Sequence, residues 1–146
     1  MWVRNGKPAA VAEIRGEGRI RGAAAFFSLG CGVLVRVQVR GLPKNDSGFF
    51  ALHIHEGRCC TGAGFADTGS HFNPEGTIHP RHAGDLPPLL SRNGDAFLEV
   101  MTDRFSLEQV IGRTLVIHSD ADDFHTQPAG NAGRKIACGV IRRIGS

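Results

Sequence analysis

Glycine occupies 20 of the 146 positions, about twice the usual ~7%, and it recurs with no fixed period. A chain punctuated that often is built from many tight turns, which argues for an all-β fold and against a helical bundle. The length fits one domain, residues 1–146, with no linker or internal repeat to divide it. Roughly two-thirds of the unfolded surface can be buried at this size, so a core is viable without staples. With 41% hydrophobic and 21% charged residues, the composition excludes wholesale disorder.

Alternation and turn chemistry place the strands. Ala10–Ile14 is a short strand closed by Gly16-Glu17-Gly18, and Arg19–Phe27 is a second. After Gly30-Cys31-Gly32, the run Val33–Arg40 alternates apolar and polar over its second half, which predicts one wet face. Phe49–Glu56 is the fourth strand. From Gly57 to about Leu90 the chain is Gly/Pro-punctuated and without period, and a stretch of that length in a small domain is usually functional. Asn93-Gly94 signals a turn into Ala96–Met101. Thr114–His118 and Lys135–Ile144 are the last strands, separated by a second long loop, Ser119–Gly133. Seven or eight strands with two long loops predict a β-sandwich or flattened barrel with Greek-key connections. Residues 1–9 are expected to form a loose arm.

The net charge of +3 is mild. Basic residues are scattered, apart from Arg134-Lys135 and Arg142-Arg143, and a chain with one Trp and no Tyr has only Phe for stacking on bases. Nucleic acid is therefore not an expected partner; the charge suits a small anion better. No run approaches the ~20 apolar residues of a membrane span. Met1–Lys7 lacks the apolar run of a signal peptide, so the chain is expected to be cytoplasmic as written, and extracytoplasmic if a leader has been removed. Among Cys31, Cys59, Cys60 and Cys138, the neighbours Cys59 and Cys60 cannot easily bridge each other. One bridge from Cys138 to Cys59 or Cys60 is the economical expectation. It would close a loop of roughly 80 residues, worth ~4 kcal/mol on the chain-entropy account.

All but one of the seven histidines fall between His53 and His118. On a strand, His53 and His55 point to the same face, about 7 Å apart along the chain, a spacing that lets two nitrogens converge on one metal. Alone that pair is weak evidence. His71, His79, His82 and Asp85 form a second cluster in the long loop, three imidazoles and a carboxylate, which is a donor set zinc accepts in closed tetrahedral sites. His118 ends the apolar run Thr114–Ile117. Other metal and phosphate chemistries lack their patterns. There is no Cys-x-x-Cys after a His-x-Glu, no zinc-finger histidine spacing, no phosphate-binding loop and no nucleophile elbow.

Taken together, these clusters resemble one family, the copper/zinc superoxide dismutases. The resemblance rests on Leu52-His53-Ile54-His55-Glu56, Gly69-Ser70-His71-Phe72-Asn73-Pro74, His79, and His82-Ala83-Gly84-Asp85-Leu86. It continues through Ile111-Gly112-Arg113-Thr114-Leu115-Val116-Ile117-His118, Gly130-Asn131-Ala132-Gly133 and Ala137-Cys138-Gly139-Val140-Ile141, in family order from Ala10 to Ile144. It implies an eight-stranded Greek-key β-barrel, an architecture grouped with the sandwiches. It also implies that His53, His55, His71 and His118 hold copper, that His71, His79, His82 and Asp85 hold zinc, and that His71 bridges the two. Asp122 matches the aspartate linking a copper histidine to a zinc histidine, a contact that fixes imidazole tautomers. Cys60 best matches the cysteine that pairs with Cys138, with Cys59 one residue away. The implied reaction takes superoxide to oxygen and hydrogen peroxide, copper cycling between Cu(II) and Cu(I) while zinc does not cycle. A homodimer is compatible with the resemblance.

Some positions depart from the family pattern. Lys135 stands where the family keeps an anion-guiding arginine, three residues before Cys138. It keeps the charge without the planar two-pronged fork, and Arg134 is the other candidate guide. Only Pro80 and Arg81 separate His79 from His82, a short zinc loop of the bacterial type. His125 and Cys31 have no counterpart, and are expected to be a surface histidine and a buried thiol; Ile54 and Ile78 are expected to pack. The competing function is a non-catalytic copper/zinc-binding module, a buffer or a delivery domain. Such a relative would be expected to lose a ligand, and none of the seven is missing.

Overall fold

The structure is a computed structural model that describes residues 6–145. Residues 1–5 of the expected arm lie outside that range. At its other end Ala9 is already tied in, its N–H donating to Phe26 O and its carbonyl accepting from Ile144 N. Eight strands form: β1 Ala10–Gly16, β2 Arg21–Leu29, β3 Gly32–Arg40, β4 Phe49–His55, β5 Asp85–Leu90, β6 Ala96–Thr102, β7 Thr114–His118 and β8 Lys135–Arg143. They make one antiparallel sheet in the order β5-β4-β7-β8-β1-β2-β3-β6. The end strands β5 and β6 approach each other, so the sheet curls into a nearly closed barrel. The crossovers β8–β1, β4–β7 and β3–β6 are the Greek-key connections the turns and loops predict.

Two-residue alternation explains the filling. In β1, Ala10, Ala12 and Ile14 are buried while Val11, Glu13 and Arg15 are exposed, and the second half of β3 behaves alike, with Val37 and Val39 inside and Gln38 and Arg40 outside. In β4 both faces are buried. Phe50, Leu52 and Ile54 join the barrel core with Leu115 and Ile117 of β7, Ile136 and Ile141. Fully burying such side chains is worth about 1.5–3 kcal/mol apiece. Ala51, His53 and His55 point the other way and are buried too, because the chain from Ser70 to Gly84 runs back along β4. Glu56 N–H donates to Ser70 O, Phe72 N–H to Ile54 O, and Ile54 N–H to Gly84 O. The outer face that would be wet in an ordinary barrel is thus a polar interior.

The structure corrects the sequence reading at several places. The stretch 57–90 is not structureless: it holds a 3-10 turn, Ala63–Thr68, and the strand β5. Pro87-Pro88 hide that strand from propensity reasoning, yet β5 ends the sheet order, and an edge strand tolerates missing N–H donors. A one-turn helix α1, Leu107–Val110, also went unanticipated. Ser106 and Gln109 close it with a capping box. Cys31 is exposed rather than buried, since it sits in the turn between β2 and β3. Ile54 packs as expected, but Ile78 is 65% exposed. His125 is a surface side chain.

Candidate metal centre

Four elements deliver the clustered side chains to one place. His53 and His55 come from the outer face of β4, His118 from the end of β7, and Asp85 from the first residue of β5. His71 pairs with His55 across an isolated antiparallel bridge, so backbone hydrogen bonding sets that ring beside β4. His79 is held at both its backbone groups by Gln127, whose Oε1 accepts from His79 N (2.9 Å) and whose Nε2 donates to His79 O (2.7 Å). Nothing local in the sequence marks Gln127 for that task; it is 48 residues away.

Two tight donor groups result. Donor atoms of His53, His55, His71 and His118 lie within 4.8 Å of one another, as do those of His53, His71, His79 and Asp85. His82 joins the second group through its Nδ1, 3.2 Å from Asp85 Oδ2 and 3.2 Å from His71 Nδ1. His79 Nδ1 lies 3.0 Å from Asp85 Oδ2, and His71 Nδ1 lies 2.8 Å from Asp85 Oδ1. His53 and His71 are common to both groups, and of the two it is His71 whose Nδ1 meets His82 and Asp85.

The outward nitrogens are fixed and the inward ones are free. His53 Nε2–H donates to Asp122 Oδ2 and His79 Nε2–H to Asp122 Oδ1, each at 2.8 Å. His55 Nδ1–H donates to Gly69 O at 2.8 Å. That leaves His53 Nδ1, His71 Nε2, His79 Nδ1 and His118 Nδ1 buried without a hydrogen-bond partner among the described residues. The short His79–Asp85 contact fails as a hydrogen bond although its atoms are only 3.0 Å apart. Orphaned buried nitrogens are costly, and so are lone pairs facing one another. Both become favourable once a cation sits between them.

Electrostatics point the same way. Burial holds His55 down to about 2 and His118 to about 3, against an ordinary 6.5. Burial lowers His53 and His82 as well. These four rings are thus neutral, the state that binds metal. Burial pushes Asp122 up, but hydrogen bonds from His53 and His79 outweigh it and leave the carboxylate at about 2. Asp85 follows the same pattern, burial raising it and its contact with His71 bringing it down. Imidazole nitrogens suit both Cu(II) and zinc, and three imidazoles with one carboxylate suit zinc. The residues present therefore fit two adjacent metals that share one ring.

A cleft of about 660 Å³ leads to the copper-type group, lined by His55, His71, His118, Arg134 and Lys135. Lys135 Nζ donates to Thr68 Oγ1 (2.7 Å) and Gly69 O (2.9 Å), and burial lowers its pKa. Arg134, its neighbour, turns its guanidinium to Glu17 Oε1 at 2.6 Å. Thr68, fully buried, is a positioning residue the sequence reading did not single out. Gly130 is another. A Cβ there would lie 2.1 Å from Asp122 Oδ1 and 2.6 Å from His79 Nε2, and its φ is +74°, so only glycine lets the second loop close over the Asp122 bridge.

Cys60 bridges Cys138, with Cα atoms 5.7 Å apart, and Cys59 is free and exposed. Of the two pairings left open by the spacing, the structure has Cys60. The bond ties the start of the 57–84 segment to β8, the strand that Lys135 opens.

Comparison with known proteins agrees with this geometry. The family model described as copper/zinc superoxide dismutase (SODC) matches residues 20–141. "Superoxide dismutase [Cu-Zn] 2" of Aquifex aeolicus is 39% identical over 144 residues, covering 88% of this chain and 83% of that protein. "Superoxide dismutase [Cu-Zn]" of Deinococcus radiodurans is 34% identical over 161 residues, covering 95% and 87%. The solved structure of the clock protein EA4 superposes with a TM-score of 0.82 at 33% identity, covering 99% of this chain and 100% of that one. A family match across most of the chain, on a barrel whose shared histidine sits between two donor groups, leaves one assignment: this chain belongs to the copper/zinc superoxide dismutase family.

Proposed function

We propose that the chain acts as a single domain that dismutes superoxide, two superoxide anions and two protons yielding oxygen and hydrogen peroxide. The observation that carries this reading is His71. Its Nδ1 faces His82 and Asp85, while its Nε2 is buried without a partner and its ring is grouped with His53, His55 and His118. Copper, held by His53, His55, His71 and His118, would supply the one-electron couple, and zinc, held by His71, His79, His82 and Asp85, a charge that does not cycle. The chain's own groups do the rest. His71 can hold or release a proton at Nε2, depending on whether that nitrogen is engaged. Asp122 keeps the protons of His53 and His79 on Nε2, leaving both Nδ1 atoms free for metal. The cleft reaches His55, His71 and His118, and Lys135 in its wall supplies a positive charge for an incoming anion. Lys135 is favoured over Arg134 as the guide because Arg134 is engaged with Glu17.

Metal analysis and a superoxide assay on one purified sample test the reading. His118→Ala should abolish dismutation while zinc and the fold remain; activity of the variant above about a tenth of the parent at equal copper content would overturn the copper assignment. A homodimer belongs to the same proposal, supported by Phe49 and Leu90, paired across β4 and β5 and left 39% and 58% exposed. Sedimentation equilibrium measures it. No described helix is long and apolar enough to cross a membrane.

A further inference from the structure

The metal centre has a second side. Separate from the anion cleft, with no lining residue in common, a groove of about 460 Å³ lies at the seam where β5 meets β6. Its walls include Pro87 and Pro88 of β5, Val100 and Met101 of β6, and Phe124; Asp85 and Asp122 also line it. Those two carboxylates belong to the centre, and their side chains are only 3% and 1% exposed. One guanidinium closes the groove's rim. Arg104 lies two residues past the end of β6, its N–H donating to Thr102 Oγ1 at 3.1 Å, and the next residue, Phe105, is buried, so its root is fixed. Its exposed side chain reaches back more than twenty residues to donate from Nη1 to Pro80 O (2.7 Å), with His82 O at 3.4 Å. The strapped carbonyls belong to the short turn that carries His79 and His82.

We propose that Arg104 latches this seam, and that the metal held by His71, His79, His82 and Asp85 exchanges through the β5–β6 groove, not through the anion cleft. The inference rests on the zinc assignment made above. Charge separates the two routes. The anion cleft carries Lys135 and Arg134, the latter paired with Glu17, against Glu56, so it offers a divalent cation no net attraction although His82 also lines it. The groove is lined by Asp85 and Asp122 against Arg104 alone. When the guanidinium swings off Pro80 O, the opening becomes acidic and the His79–His82 turn loses its tether, so two changes that favour cation passage occur together. An exposed strap suits this task, since a charge-assisted hydrogen bond to a carbonyl at the surface is strong enough to order a turn and weak enough to open.

The test uses the metal-loaded protein and follows zinc and copper separately as they transfer to coloured chelators. Arg104→Ala should speed zinc transfer about tenfold, the scale of one lost charge-assisted hydrogen bond, while copper transfer and the melting temperature of the metal-free protein stay as in the parent. Arg104→Lys, able to reach one carbonyl, should fall between. Met101→Trp should narrow the groove and slow zinc transfer with Arg104 intact. The latch is overturned if zinc transfer is unchanged in Arg104→Ala. It is also overturned if copper transfer rises in step, or if Lys135→Ala accelerates zinc more than Arg104→Ala does. A loaded parent that holds copper but no zinc would overturn the ligand assignment itself, and the latch with it.

Discussion

Replacing Asp122 with asparagine changes one atom and removes an option the centre depends on. The carboxylate accepts from two ring N–H groups, His53 Nε2 and His79 Nε2, both at 2.8 Å. An amide offers one acceptor oxygen and one donor NH2 group. One histidine can keep its proton on Nε2; the other must present Nε2 as an acceptor, which moves its proton to Nδ1. In both rings Nδ1 is the unpartnered atom turned toward the donor group, so a proton there blocks a metal. Asp122→Asn should therefore weaken one of the two metals by about 10–100-fold, the usual cost of disturbing a group that orients a metal-binding histidine, or about 1.4–2.8 kcal/mol. The metal-free protein should lose about 1.5–3 kcal/mol, since a hydrogen bond to a charged group is given up in a buried place. Chelator competition, run separately for copper and zinc, reads the first effect and calorimetry the second. Asp122→Ala is the comparison: it removes both acceptors but imposes no tautomer, and should harm metal binding less than Asp122→Asn at the affected site. The pH profile carries the same signature. The folded carboxylate is held at about 2 against an ordinary 3.8, so its contribution to metal-free stability is present above about pH 4 and fades as pH falls through about 2. Asp122→Asn should lack that part of the acid slope. If the variant holds both metals as tightly as the parent, the tautomer argument is wrong.

Lys135→Ala should lower the rate with superoxide roughly tenfold at low ionic strength, the lower end of electrostatic steering, with a smaller effect as salt shortens the Debye length toward ~8 Å. If Arg134→Ala does this and Lys135→Ala does not, the guide is Arg134. Gly130→Ala should displace Asp122 and His79 and cost at least the ~1–2 kcal/mol of a left-handed non-glycine residue, read as a lower melting temperature and weaker zinc retention. Cys138→Ser opens a loop whose ends are 78 residues apart and should cost about 4 kcal/mol of stability; peptide mapping of the parent without reductant should join Cys138 to Cys60 and leave Cys31 and Cys59 free.

The parts of the fold that follow local rules could be read from the sequence. Period-two alternation located β3, a glycine turn closed β1 and an apolar run marked β7, each to within a residue or two, and the two-residue rule placed His53 and His55 on one face of β4. Long-range hydrogen bonding obeys no local rule. Asp85 reads as a loop residue because Pro87 and Pro88 deny a strand, but it opens β5 because an edge strand can spare its donors. Gln127 acts on the backbone of His79, 48 residues away, Thr68 on the Lys135 side chain, 67 residues away, and Arg104 on carbonyls 22 and 24 residues away; no spacing rule reaches that far. Cys31 was misjudged because free cysteines are usually buried, a tendency its turn position overrides. The ligand set itself was visible through the family resemblance, since spacing alone gave one weak pair and one loop cluster and not one shared ring.

The prolines of β5 have a consequence for the life of the protein among its own copies. A barrel that nearly closes leaves two strand edges facing a seam, and an unpaired edge is a template on which another chain can add a strand. Pro87 and Pro88 have no N–H to offer such a newcomer. The seam can therefore stay unzipped along that stretch, through every opening and closing of the turn beside it, without inviting the growth of cross-chain ribbons. Exchanging both prolines for valine would supply the missing donors and should turn a harmless gap into a site of filament growth, most readily in protein stripped of its metals.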